Sequence, residues 1–160
     1  SGGGTLLWHS PGSIVTTSVS FGQGNTFILS VTAGQIIRTA STWKLMLQLY
    51  SGSMQFTALV VKRTNPGSAT VLDTTTVAVG GNTTFTLSAG QTLSDLISLA
   101  IDNSHDYYIE AYFNSGSCTV FGITSNGQAG YAGGNVTGAS TIASWNPYNV
   151  NLIGGAYAVS

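Results

Sequence analysis

The densest run of side chains capable of chemistry is Asp102-Asn103-Ser104-His105-Asp106, with Glu110 following it. A carboxylate beside an imidazole could orient a general base, and Asp102, Asn103 and Asp106 offer the hard oxygen ligands that calcium takes. Both patterns are incomplete. No seryl or cysteinyl nucleophile sits in a recognised elbow, Gly-x-Ser-x-Gly is absent, and the loop glycine and terminal glutamate of an EF-hand are missing. A solvated turn leading into a strand at Tyr107 accounts for the same residues. Zinc would have to be gathered from His9, His105 and Cys118, and the glycine-rich tail lacks the Gly-Lys pair of a phosphate loop. Paired glycosidase carboxylates would need two of Asp73, Asp95, Asp102, Asp106 and Glu110 held across a cleft. The expectation is a protein without a catalytic centre or cofactor, with calcium at Asp102, Asn103 and Asp106 as the metal alternative.

Aromatic residues offer a second kind of site. Trp8, Trp43 and Trp145, with Tyr107, Tyr108, Tyr112, Tyr131, Tyr148 and Tyr157, supply faces on which sugar rings could stack. In a strand starting at Tyr107, period two puts Tyr107, Ile109, Ala111 and Phe113 on one face and Tyr108, Glu110 and Tyr112 on the other. That second, mixed aromatic and acidic face could bind sugar, meet another subunit or be packed under a loop. Trp8, Trp43, Trp145, Tyr108 and Tyr112 are the sugar-binding candidates. Thr5, Leu6, Leu7 and Trp8 form a short apolar stretch on a glycine leash, the kind of segment that adds a strand to a neighbour's sheet or packs back on its own. With Tyr108, Tyr112 and Tyr131 they are the candidates for a subunit interface.

Only 6% of the 160 residues are charged, four basic and five acidic, against about 25% in ordinary globular chains. Hydrophobic residues nevertheless make up 42% and alternate in short runs, so the deficit does not signal disorder. The surface must be built from Thr, Ser, Asn and Gly, which leaves little repulsion between copies and suits neutral ligands such as polysaccharide. Four Lys and Arg are too few to neutralise several phosphates, so nucleic acid is not an expected partner. Arg38, Lys44, Lys62 and Arg63 all precede the acidic residues, a segregation that could produce two poles for head-to-tail contact.

A single cysteine, Cys118, rules out an intrachain disulfide and reads as a strand thiol or, alternatively, as an intermolecular bridge or nucleophile. No apolar run long enough for a transmembrane helix and no signal-like leader occur, and the chain does not begin with Met, as expected of a processed, secreted form. Ser1-Gly2-Gly3-Gly4 fits either a native start or an expression remnant. Asn82-Thr83-Thr84 and Asn135-Val136-Thr137 match the N-glycosylation pattern.

The elements that must position these residues read as strands throughout. Alternating, β-branched stretches cover residues 5–9, 14–21, 26–32, 43–50, 54–62, 69–79, 84–88, 107–113, 118–124, 150–153 and 156–159. Asn65-Pro66-Gly67-Ser68 is a strong turn. Ser51-Gly52-Ser53 and Ser115-Gly116-Ser117 read as hairpin turns, Trp145-Asn146-Pro147-Tyr148 as another turn, and Gly154-Gly155 as a bulge. Residues 92–100 could be a short helix or an irregular strand crossover, and residues 125–140 a long loop or closely packed strands.

Two blocks recur in the same order. Gly24-Asn25-Thr26-Phe27 through Gly34-Gln35 returns as Gly81-Asn82-Thr83-Thr84-Phe85 through Gly90-Gln91, and each is followed by an apolar run and Ser-Gly-Ser. Either an imperfect duplication or shared turn chemistry explains this. The expected architecture is all-β: a single antiparallel sandwich of jelly-roll type over residues 13–160, with eight to ten strands, after a flexible segment at residues 1–12. The expected function is a secreted or cell-surface structural protein that assembles with copies of itself. The alternative is a carbohydrate-binding module or lectin.

Overall fold

β-Branched and aromatic residues lose rotamer freedom in a helix and pack well on a pleated surface, and they carry this chain into strands. The computed structural model describes residues 4–9, 14–19, 24–77, 85–88, 92–124, 128–147 and 150–159. Among them are β1 (Gly4–His9), β2 (Ile14–Val19), β3 (Asn25–Val31), β4 (Trp43–Thr64), β5 (Val71–Thr76) and β6 (Phe85–Ser88). β7 (Thr92–Ile97), β8 (Asp106–Thr124), β9 (Ala129–Gly133), β10 (Asn146–Pro147) and β11 (Val150–Val159) complete them. No helix occurs among the described residues, so none is long and apolar enough to cross a membrane. Thr92–Ile97, open to a helical reading from sequence, pairs as a strand with β4.

The strands form two sheets in sandwich-like packing. One contains β1, β11, β7 and the first part of β4. The other is centred on the antiparallel pair of β4 and β8. β3 and β2 run along the far edge of β8, and β9 and β10 lie beyond β3. β5 and β6 line the opposite edge of β4. β4 passes from one sheet to the other, and β11 does the same, pairing first with Gly122–Thr124 positions of β8 and then with β4.

The Ser-Gly-Ser segments are not turns. Both lie inside unbroken strands, of 22 residues in β4 and 19 in β8, and they pair with each other: Gly52 opposite Cys118, Ser53 opposite Ser117, Met54 opposite Gly116. The hairpin expected between residues 107–113 and 118–124 is therefore one strand. Trp145-Asn146-Pro147 is likewise not a free turn, because Asn146 and Pro147 pair with Tyr131 and Gly130. Gly154 and Gly155 continue the β11 register against β4 without a bulge. Asn65-Pro66-Gly67-Ser68 is the expected turn: Ser68 N–H donates to Asn65 O at 3.0 Å, and Gly67 has φ 74°, the left-handed conformation a type II turn requires at that position.

The core lies between the sheets. Phe27, Leu29, Val31, Leu59, Val61, Tyr107, Ile109 and Ala111 face inward from β3, β4 and β8, and Leu7, Trp8, Trp43, Leu45 and Ile97 meet them from the other sheet. A register shift between Leu6 and Trp8 in β1 lets two successive residues, Leu7 and Trp8, both reach this core.

Alternation fails over Leu59-Val60-Val61-Lys62, where all four side chains are buried. The outer face of the central sheet is covered there too. Residues 134–142 leave β9 and cross β3, β8 and β4 to reach β5. Thr26 Oγ1 donates to Gly134 O at 2.7 Å and accepts from Val136 N–H. Lys62 Nζ donates to Val136 O, and Val71 N–H to Ser140 O. Thr70 and Thr141 form a bridge. This strap makes the sheet a middle layer, and a strand with two covered faces reads as a continuous apolar run.

Candidate functional site

Under the strap lies the most deeply buried pair of charged side chains among the described residues. Glu110 stands opposite Val60 on β4 and Ile28 on β3, while Lys62 stands opposite Tyr108, so Lys62 and Glu110 are diagonal neighbours on the outer face. Nζ lies 2.6 Å from Oε1, and both side chains are 0% exposed. Nζ also donates to Val136 O at 2.9 Å. The Glu110 contact is close enough for strong attraction, yet neither carboxylate oxygen receives a well-formed hydrogen bond among the described residues. Burial pushes the Glu110 carboxyl above its usual range, and the adjacent Lys62 offsets that only in part. Removing one partner of such a pair costs about 3–5 kcal/mol, because the other is left buried and uncompensated.

The face of Tyr108, Glu110 and Tyr112 is thus the one packed under a loop. Tyr108 and Tyr112 are half-buried, and burial raises the Tyr108 hydroxyl above its ordinary value. Tyr131 does not share this face: it is opposite Phe27, on the core side of β9. Trp8 and Trp43 are each 1% exposed and cannot serve as stacking platforms; Trp43 Nε1 donates to Leu99 O at 2.7 Å. Trp145 is half-buried, with its ring against the backbone of Gly130. Thr5 is exposed and Leu6 half-buried, while Leu7 and Trp8 are core residues, and β1 pairs with β11 of its own chain.

The acidic cluster divides into separate tasks. Asp106 Oδ1 accepts Ala33 N–H at 2.8 Å and Oδ2 accepts Gly67 N–H at 2.9 Å, so one buried carboxylate staples two turns. Asn103 Oδ1 accepts Ile36 N–H. Asp102 Oδ1 accepts the amide and hydroxyl of Ser104 and lies 2.8 Å from His105 Nδ1. These oxygens are turned to N–H and O–H donors, and no group of three or more His, Cys, Asp or Glu converges as a metal site among the described residues. Ser104 spends its hydroxyl on Asp102, so the serine–imidazole bond of a triad is not made here.

The charge segregation along the sequence also resolves into pairing. Lys62 meets Glu110 and Arg63 meets Asp73, so early cations meet later anions inside the fold, and these four do not build opposite poles. The signal for the buried pair was present in sequence as a lysine and a glutamate at outward positions of two apolar strands. Register, which sequence did not supply, was needed to join them. Cys118 lies in β8 opposite Gly52 and Val19. Residues 82–84, which carry one glycosylation pattern, fall outside the described residues; the other, at Asn135, is on the strap, where Thr137 donates its amide and hydroxyl to Asn135 Oδ1. No protein-family model and no curated protein matches the chain.

Proposed function

We propose that this chain is a secreted or cell-surface structural subunit, a sandwich of jelly-roll type that associates with copies of itself into a fibre, pilus-like appendage, sheath or coat. The observation that carries this reading is an almost chargeless edge. β5, β6 and β7 follow one another along β4, and on β5 the outward positions are Leu72, Thr74 and Thr76, all exposed. Leu72 is 46% exposed and Leu96, on β7, is 54% exposed. Strand edges are normally guarded by Lys, Pro or bulges against pairing with another chain. Here the Asp73 carboxylate is engaged by Arg63, and Lys62 and Glu110 are buried, which lowers repulsion between copies further than composition alone implies.

Light scattering and electron microscopy at micromolar concentration test this. Large regular assemblies are expected, and Leu72→Lys with Leu96→Lys should abolish them while leaving the monomer's thermal midpoint nearly unchanged. A chain that stays monomeric under all conditions overturns the reading. Binding to neutral polysaccharide through Trp145, the sugar-binding candidate that lies in neither the core nor the covered face, is the alternative, and a glycan array or polysaccharide pull-down separates it from assembly.

A further inference from the structure

Lys62 and Glu110 form a contact that is poorly served as an ion pair. Buried ion pairs hold when further donors satisfy the remaining carboxylate lone pairs, since attraction alone does not repay the lost hydration. Neither Glu110 oxygen has such a donor among the described residues, and both side chains are fully buried with Nζ 2.6 Å from Oε1. We propose that Lys62 and Glu110 condense after folding into an intramolecular amide, a covalent tie between the two central strands.

The step balances within the pair. A proton passes from the ammonium to the carboxylate, giving a neutral amine and a neutral acid, the forms a dry site favours. The amine lone pair attacks Cδ of Glu110 and displaces the carbonyl π pair onto oxygen. After attack the nitrogen carries two protons and a positive charge. It gives one of them to the hydroxyl, the oxyanion pair returns as the C–OH bond breaks, water leaves, and the neutral amide keeps the remaining N–H. Counting from the neutral amine and acid, one N–H and one C–OH are exchanged for one C–N bond and one water. No oxidant or reductant enters.

The fold favours the step in four ways. Contact between the groups replaces a bimolecular encounter with an intramolecular one of high effective concentration. The product is neutral, so the penalty for two buried charges disappears. The Val136 carbonyl, 2.9 Å from Nζ, orients the amine as a positioning group from the strap. Burial also holds the Glu110 carboxyl toward its protonated form. The inference stands whether or not the chain assembles.

Intact-mass spectrometry of the full chain, folded, stored at neutral pH and then denatured, should give a mass one water below that of the sequence. Proteolysis should release a branched peptide joining the Lys62 and Glu110 segments. Lys62→Arg should restore the full mass. A wild-type chain at full mass overturns the proposal, as does a water loss that maps to any other pair of residues. Because the branched peptide is read on the wild-type protein, the result does not depend on the variant folding.

Discussion

Ser53 of β4 stands directly opposite Ser117 of β8, its own counterpart in the second Ser-Gly-Ser. Pairing is two-fold symmetric about this point. The shift that carries Ser53 onto Ser117 turns the pair Met54–Gly116 into Cys118–Gly52, and Gln55–Ser115 into Thr119–Ser51, and all four pairs occur. The same shift carries Leu29 opposite Ile109 onto Leu93 opposite Leu45, so β3 corresponds to β7. The sequence match had set β3 against β6 instead, through Phe27 and Phe85. The Gly-Asn-Thr-Phe likeness is therefore not the structural correspondence.

Each half lends its flanking strand to the other half's long strand: β3 pairs with β8, and β6 and β7 with β4. Neither half can satisfy its own edges. A chain cut after Val77 should give fragments 1–77 and 78–160 that each lack dispersed amide resonances. Mixing them should restore the spectrum of the intact protein, and a fragment that folds alone would contradict the exchange.

Gly130 is sterically obligatory. A Cβ there would lie 1.9 Å from Asn146 O and 2.7 Å from Trp145 Cε3, contacts with backbone and a packed ring that cannot yield cheaply. Gly130→Ala should destabilise by about 3 kcal/mol through overpacking. Gly133→Ala, where a Cβ meets nothing within 4 Å, should stay within about 0.5 kcal/mol of wild type. Denaturant midpoints of the two variants make the comparison.

Sequence periodicity was enough for all-β character, for the inward set Tyr107, Ile109 and Ala111, and for the turn at Asn65–Ser68. It failed at Ser51-Gly52-Ser53 because Gly and Ser favour turns locally, whereas here two long strands supply each other's hydrogen bonds across the whole segment. At Thr92–Ile97 it left a short helix and an irregular strand crossover both open, and pairing with β4, with a register shift, decides for the strand. Trp8 and Trp43 resemble ligand platforms by residue type alone. Their burial depends on how the two sheets meet, which no local pattern encodes.

Asp106 should be the most sensitive residue of the Asp102–Asp106 cluster. Asp106→Ala leaves Ala33 N–H and Gly67 N–H without their acceptor, and charge-assisted bonds of this kind are worth about 1.5–3 kcal/mol each. Asp106→Asn keeps one acceptor oxygen and should fall between. Slowed amide exchange at Ala33 and Gly67 in the wild type, lost in the alanine variant, would locate the effect.

Asp102 governs part of the acid limb. Burial works to raise its carboxyl, but the bonds from His105 and Ser104 outweigh it and hold the group below its ordinary value of 3.8. The unfolded chain then binds the proton more readily than the folded one. The stabilisation is present above the unfolded value and is lost as pH falls through the folded value. Asp102→Asn should flatten the fall in urea midpoint below about pH 4 and cost about 1 kcal/mol at neutral pH. An unaltered acid limb would show that Asp102 is not the titrating group.

The strap's landing points, Thr26, Lys62, Ala69 and Val71, all lie earlier in the chain, and its contact with Thr26 closes a span of 108 residues. Loop-closure entropy makes such contacts late. The space around Lys62 and Glu110 is therefore expected to stay wet while the sheet assembles and to dry when the strap is laid across it. The molecule thereby carries a record of its own completion: chemistry that needs a dry amine and acid has a start time, and that time is the end of folding.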